Sequence, residues 1–225
     1  VFGIRVSRSR ENCLYKRRFL KNIQSEALAN MSEDERKLLA GEAVFTPPKE
    51  EDLPKPVGPG KVWELSEVIA LANAGLNGRS FNNGKKMFAA AKCLSCHRFD
   101  GAGGSTGPDL SNVAGRFSNK DLAEAIIHPS KVISDQYRAM NIVTVNGKVL
   151  AGRVTSETEK EVTVLTDPVD ATKLVTLAKD DIDEMLPSRQ SLMPEKLLNT
   201  LNREEVLDLL AFLKSRGNPN AIEFK

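Results

Sequence analysis

Cys93-Leu94-Ser95-Cys96-His97 is the stretch on which the reading of this 225-residue chain turns. It has the form Cys-x-x-Cys-His. Two thiols at that spacing lie about one helical turn apart, so both can reach the vinyl groups of one porphyrin and form thioethers. The imidazole of His97 then sits under the iron as proximal ligand. The expectation is one covalently attached haem c, held by Cys93, Cys96 and His97. Two rival readings fit less well. A structural zinc site needs four ligands, and the chain has three Cys and two His. A thioredoxin-like dithiol expects a preceding strand and a helix opening at the first Cys. Here a helix is predicted before Cys93, and a His follows Cys96 directly.

Composition sets the frame. Apolar residues make up 40% of the chain, which is enough for a core. Aromatic residues are few, with one Trp, two Tyr and nine Phe, so a porphyrin would add a large apolar body. A net charge of +2 carries no general argument for nucleic acid or a membrane surface. No apolar run has the length of a membrane span, so no transmembrane segment is expected. There is no signal peptide and the chain begins at Val1, which suggests a mature form or a C-terminal piece of something longer. Haem attachment of this type takes place outside the cytoplasmic membrane, so an extracytoplasmic compartment, periplasmic or equivalent, is expected. Cys13 is left as a lone, partly buried thiol.

Residues 1–21 are basic, read as a solvated helix face rather than a nucleic-acid patch. Helices are expected over 11–30 and, behind the capping box at Ser32-Glu33-Asp34-Glu35, up to Gly41. The prolines at 47, 48, 54 and 56 forbid regular structure and favour an extended linker. Residues 1–60 therefore read as a helical N-terminal extension with a Pro-rich linker. Residues 61–136 read as the first part of a helical haem domain. Ser66 is expected to cap a helix over 67–74, and Asn82 or Asn83 one that carries Gly84 and Phe88 into Cys93. Gly84 and Phe88 lie on one face, where a small residue beside an aromatic allows another helix to cross closely, with Phe212 as its partner. After His97, the Gly-rich run 100–107 lacks the Lys-Ser/Thr of a P-loop and reads as a loop around the haem edge. The Pro108 carbonyl is the candidate acceptor for the second ring nitrogen of His97. A helix from Ser118, with Leu122, Ala125 and Ile126 inward, stops at Pro129. His128 at its end reads as a capping surface residue, with iron ligation as the alternative.

From Tyr137 the period changes to that of strands. Two alternating runs flank Asn146-Gly147, a two-residue hairpin signal. Further strands over 161–165 and 173–177 make residues 137–186 a small inserted antiparallel β-meander of four or five strands. It is expected to curl toward a barrel that would remove exposed edges. Residues 187–225 then hold a Met-bearing loop, Ser191-Leu192-Met193-Pro194, and a terminal helix. That helix has Asn202 and Glu205 as its box and Val206, Leu209, Leu210 and Leu213 as its inner stripe.

A thioether sulfur as sixth ligand favours Fe(II) and raises the reduction potential. Of the five methionines, Met193 stands out because Pro194 stiffens its loop. Its separation from His97 is long for one pocket. Subtracting residues 137–186 leaves a compact length, in keeping with an insertion. His128, another Met or an open iron position remain alternatives.

These features occur in one order: Gly84 to Phe88, Cys93 to His97, Gly107-Pro108-Asp109-Leu110, His128-Pro129-Ser130, Asn146-Gly147, Ser191 to Pro194 and a Leu-rich terminal helix. Over about residues 80–216 the chain resembles the haem-binding domain of planctomycetes and verrucomicrobia, a cytochrome c relative. The resemblance implies a class I cytochrome c core with His97 and Met193 as axial ligands. It also implies a place at the C-terminus of large exported proteins, often behind a sugar dehydrogenase domain. The expected fold is mainly α: a cytochrome c-like helical haem domain with the β-meander inserted and a helical extension before it. The expected function is one-electron transfer, as the electron-accepting module of a larger redox protein rather than as an enzyme. Its partners would be a redox protein or an upstream dehydrogenase domain. The alternatives are a haem enzyme or gas sensor with an open distal site, or an interaction protein whose β-meander binds a partner.

Overall fold

The computed structural model describes residues 45–225. The helices expected over 11–30 and before Gly41, the basic stretch 1–21 and Cys13 lie outside the described residues. Among the described residues no helix is long and apolar enough to cross a membrane.

Among the described residues five α-helices form where apolar stripes meet caps: α1 (Leu65–Ala74), α2 (Phe81–Ala90), the single turn α3 (Cys93–Cys96), α4 (Asn119–Ile127) and α5 (Arg203–Lys214). The caps at α4 and α5 are the expected ones. Ser118 and Asp121 bond each other's backbone at α4, and Asn202 and Glu205 do so at α5. Two caps differ. Helix α1 starts behind Glu64, whose amide donates to the Glu67 carboxylate at 3.2 Å, and Ser66 falls inside the first turn. At α2, Ser80 Oγ accepts the Asn83 amide at 3.2 Å, so the expected Asn caps are first-turn residues. On α4 the buried residues are Leu122, Ala123 and Ile126, while Ala125 is exposed.

Helices α2 and α5 cross at Gly84. A Cβ there would stand 2.3 Å from the Asp208 carbonyl oxygen and 2.7 Å from Phe212 Cβ, so only hydrogen allows the approach. Phe212 then sits among Phe81, Phe88 and Phe99, with ring centroids 5.2, 5.9 and 4.7 Å away. The start of α5 also holds two buried acids in place. Asp208 accepts from the Ser80 amide at 3.0 Å and Asn83 Nδ2 at 2.8 Å. Glu205 accepts the Val57 amide, and Trp63 Nε1 donates to the Leu201 carbonyl at 3.1 Å. The Pro-rich stretch contains one 3-10 turn, Glu50–Asp52, and the chain just beyond it is tied to α5.

Two short strands, β1 (Arg98–Phe99) and β2 (Ala102–Gly103), pair directly after the Cys93–His97 stretch. The larger sheet comprises β3 (Met140–Thr144), β4 (Val149–Glu157), β5 (Glu161–Leu165), β6 (Leu174–Ala178) and β7 (Ile182–Pro187), in the order β6-β5-β4-β3-β7. Strand β4 is long enough to pair with β3 over 149–152 and with β5 from Arg153 to Glu157, with a register shift between Val154 and Ser156 inside the second pairing. Strands β6 and β7 end as the two edges; the ladder therefore stays open instead of closing. The β3–β4 hairpin forms at Asn146-Gly147, but its closing bond runs from the Thr144 amide to the Lys148 carbonyl. The loop thus encloses three residues, with Gly147 at φ +80°. The sheet has its own interior of Ile142, Val162 and Val164, distinct from the helical core.

The mainly α reading is overturned. Helix accounts for 33% and strand for 19% of the described residues, with a five-stranded antiparallel sheet. The architecture is α+β, with helices segregated from an antiparallel sheet. Among the described residues the helices are short, the longest spanning twelve residues, because loops rather than helices occupy the stretches after Cys96 and before α5. The strands that were counted as an addition to a helical domain carry a separate core.

Candidate haem-attachment site

Helix α2 delivers the site and then stops. Lys92 adopts a left-handed backbone, φ 62°, which ends α2 and starts the one-turn α3 in a new direction. The His97 amide closes that turn on the Cys93 carbonyl at 2.9 Å. Cys93 and Cys96 are therefore at the two ends of one turn, as free thiols. The chain leaves His97 in extended form, and Asp100 and Gly101, both at positive φ, reverse it between β1 and β2.

The Gly-rich run then folds back on the motif. A Cβ on Gly104 would lie 2.2 Å from the Ser95 carbonyl oxygen, and one on Gly107 would lie 2.8 Å from His97 Cε1. These two glycines admit the backbone to where side chains would displace the imidazole or the turn. Gly107 also donates its amide to the Cys96 carbonyl at 2.8 Å. This loop places the Pro108 carbonyl 2.8 Å from His97 Nδ1. A carbonyl can only accept, so Nδ1 carries the proton, and the Nε2 lone pair is left for a metal.

Burial controls the electrostatics. It pushes the Cys93 thiol up to about 12. Burial also raises Cys96, against the lowering effect of its hydrogen bond with Thr106. Burial lowers His97, opposed by the bond to Pro108, so the ring is held neutral. Raised thiols are the opposite of what a redox-active dithiol needs. Among the described residues no group of three or more His, Cys, Asp or Glu side chains gathers as a metal cluster, so nothing there extends the thiol pair toward a zinc site. Two unpaired thiols one turn apart and a neutral imidazole with its Nδ1 engaged are a donor set that fits a covalent haem.

Met193 is partly buried against the same helical core that Cys93, Leu94 and Leu110 border. Its amide donates to Ser191 Oγ at 3.1 Å, and the Ser191 amide donates to Ser130 Oγ at 3.1 Å. The Met loop is thus fastened to the His128-Pro129-Ser130 corner. His128 itself is exposed and caps α4, its amide donating to the Glu124 carbonyl.

Four residues at the site carry no role in the sequence reading, although Ser130 and Ser191 fall within motifs it quotes. Ser130 and Ser191 hold the Met loop. Thr106 is buried, and its hydroxyl donates to the Pro168 carbonyl at 2.5 Å. The Cys96 thiol donates to that same carbonyl at 3.1 Å. Ser191, two residues before the methionine, offered a local turn signal. Pro168 offered none, since it lies in the β5–β6 loop, 72 residues from Cys96.

Residues 81–151 match the family model described as Cytochrome c, a span of less than half the chain. It runs from the start of α2 into β4 and includes Cys93, Cys96, His97 and Pro108, while Met193 and Pro168 lie beyond it. No curated protein matches the chain. The chain thus contains a cytochrome c-like haem-binding domain. At the coarse level its function is haem-based electron transfer, and such a module works with redox partners.

Proposed function

We propose that this chain is a one-electron carrier whose haem c is bound through Cys93 and Cys96 and ligated axially by His97 and Met193. The observation that carries this reading is the 2.8 Å contact of His97 Nδ1 with the Pro108 carbonyl, inside a Cys-x-x-Cys-His turn. When bound, the haem supplies reversible one-electron exchange between Fe(II) and Fe(III). The residues of the chain do the rest. Pro108 holds the imidazole in one tautomer and orientation. Burial against the helical core keeps the attachment turn dry and, before attachment, holds its thiols protonated and unreactive toward disulfide exchange. The serine pair at 130 and 191 restrains the loop that carries the Met193 sulfur, and a restrained ligand lowers the rearrangement that electron transfer requires.

In this reading residues 61–136 and 187–225 form the haem domain, and 137–186 interrupt it. The module works in an extracytoplasmic compartment, as cytochrome c domains commonly do, and accepts electrons within a larger exported redox protein. The test is the optical spectrum of the purified, haem-loaded protein. A ferric far-red sulfur-to-iron band is expected, lost in Met193→Ala and retained in His128→Ala. High-spin ferric iron in the intact protein would overturn the electron-carrier assignment and favour an open-site enzyme or sensor.

A further inference from the structure

Strand β4 carries a cation whose inner nitrogen is buried without an acceptor. Arg153 stands in β4 opposite Leu165 of β5. Its neighbour Val154 and the paired Val164 pack into the sheet's interior, so strand alternation places Arg153 and Leu165 on the other face. That face is covered, with Leu165 buried and Arg153 half-buried. The Arg153 guanidinium lies over the Tyr137 ring, 5.5 Å from its centre. Arg153 Nε is fully enclosed and has no hydrogen-bond partner. The carboxylates of the two flanking segments are engaged elsewhere. Asp135 accepts from Arg138 Nε at 3.4 Å, and Asp167 accepts the Val169 and Asp170 amides at 2.8 and 3.3 Å. A buried N–H of a charged group is costly unless a further group supplies its acceptor.

Both flanks of Arg153 lead to the haem site. Beyond Leu165 the chain reaches Pro168, whose carbonyl accepts from Cys96 Sγ at 3.1 Å and from Thr106 Oγ1. Beside Tyr137, Arg138 donates to the Ile133 carbonyl at 2.9 Å and to the Ser188 carbonyl at 3.4 Å, at the start of the Met193 loop. Arg153 thus adjoins the segment that goes on to Cys96 and the segment tied to the loop of Met193.

We propose that Arg153 is a propionate-binding residue, so that the inserted sheet supplies the cation that holds one carboxylate of the haem. This rests on the haem attachment proposed above. A haem brings two carboxylates with it, and a planar guanidinium takes a carboxylate through paired N–H donors, Nε–H among them. The contact with Tyr137 consumes no N–H group, so the donors stay available. The pairing also bears on the iron. A propionate stripped of its cation is an uncompensated negative charge, which favours the more positive ferric state.

The test uses the full haem-loaded chain. In Arg153→Gln the propionate bending mode in the resonance Raman spectrum is expected to move to lower frequency, as its hydrogen bond is lost. The midpoint potential is expected to fall, with the far-red band kept. An arginine that only stacks on Tyr137 would lower stability in denaturant unfolding and leave both readouts at the parent value; that result overturns the assignment. A measurement on the parent needs no folded glutamine variant. The Arg153 Nε–H proton resonance, identified by its loss in Arg153→Lys, is expected to exchange slowly with water. It is also expected to move between the ferric and ferrous states, because a paramagnetic iron shifts nearby protons. A resonance at one position in both states overturns the assignment. A purified parent chain whose mass shows no thioether-bound haem overturns the proposed function and this inference together. Haem in place with an unmoved bending mode or an unmoved Nε–H resonance overturns only the inference.

Discussion

The helices and the sheet rest on unequal interiors. The helical core runs from Trp63 through Phe88 and Phe99 to Leu213 and is crossed by a cluster of phenylalanine rings around Phe212. The sheet encloses three fully buried side chains, Ile142, Val162 and Val164. Helices spend few residues on a broad apolar stripe, and aromatic rings bury much area each. The open sheet relies more on its backbone ladders and on the fit of a few β-branched side chains. The Cys93–His97 turn hangs from the larger interior, through α2, and the β5–β6 loop of the sheet meets it at Pro168. A rigid support for the cofactor and a lighter element laid against its edge are different physical tasks, and the two interiors differ accordingly.

That contrast can be broken experimentally. Truncating Phe212 to Ala should cost about 3–5 kcal/mol in denaturant unfolding, because a ring contacting three others leaves a large cavity. Haem incorporation should fall with it. Ile142→Ala should cost about 2–5 kcal/mol but leave haem attachment in place. Equal loss of haem in both variants would show that the sheet is as necessary to the site as the helices.

A matched pair of glycines sharpens the comparison at smaller energies. Gly84→Ala would drive a Cβ against the Asp208 carbonyl in α5, and Gly152→Ala would drive one against the Leu165 carbonyl in β5, each at 2.3 Å. Each should cost about 1–3 kcal/mol by overpacking. Only Gly84→Ala should alter the haem spectrum, since its helix leads into Cys93. Smaller again is Ser191→Ala, which deletes the hydroxyl that accepts the Met193 amide. It should cost about 0.5–1.5 kcal/mol and weaken the far-red band without abolishing it. A band of full strength would remove Ser191 from the support of the ligand loop.

The smallest effect expected is a pH dependence at the start of α4. Hydrogen bonds from the Ser118 hydroxyl, and then from its amide, hold the Asp121 carboxyl below its ordinary value. A carboxyl lowered in the folded state stabilises the protein above its unfolded pKa of about 3.9. That stabilisation is lost as pH falls through the lower folded value. Asp121→Asn should therefore unfold with a slightly flatter acid limb than the parent in denaturant titrations over this range.

Much of this molecule was legible residue by residue where the causes are local. The turn at Cys93 to His97, the boxes at Ser118 and Asn202, the hairpin at Gly147 and the stripe of α5 each follow from neighbours within a few positions. Even the Gly84 crossing was readable, because a small residue one turn before an aromatic marks a close helix contact. The caps of α1 and α2 were misplaced by two or three residues, since Ser80, Asn82 and Asn83 compete within one short window and only packing against Asp208 selects Ser80. The weight of the sheet was underestimated because a haem motif draws attention to helices, while strands declare themselves only once paired.

The sequence by itself determined the donor set of the Cys93–His97 turn, since thiol spacing and an adjacent imidazole are covalent facts of the chain. It also determined the partner for His97, because Gly107 and Pro108 follow closely enough for a short loop to fold back. Only the tertiary structure decided the course of the β5–β6 loop to Cys96 and Thr106, the anchoring of Met193 through Ser191 to Ser130, and the anchoring of Val57 at Glu205. Those contacts join residues far apart along the chain. Their partners are chosen by which surfaces remain unsatisfied after each element has folded, and no local pattern carries that information.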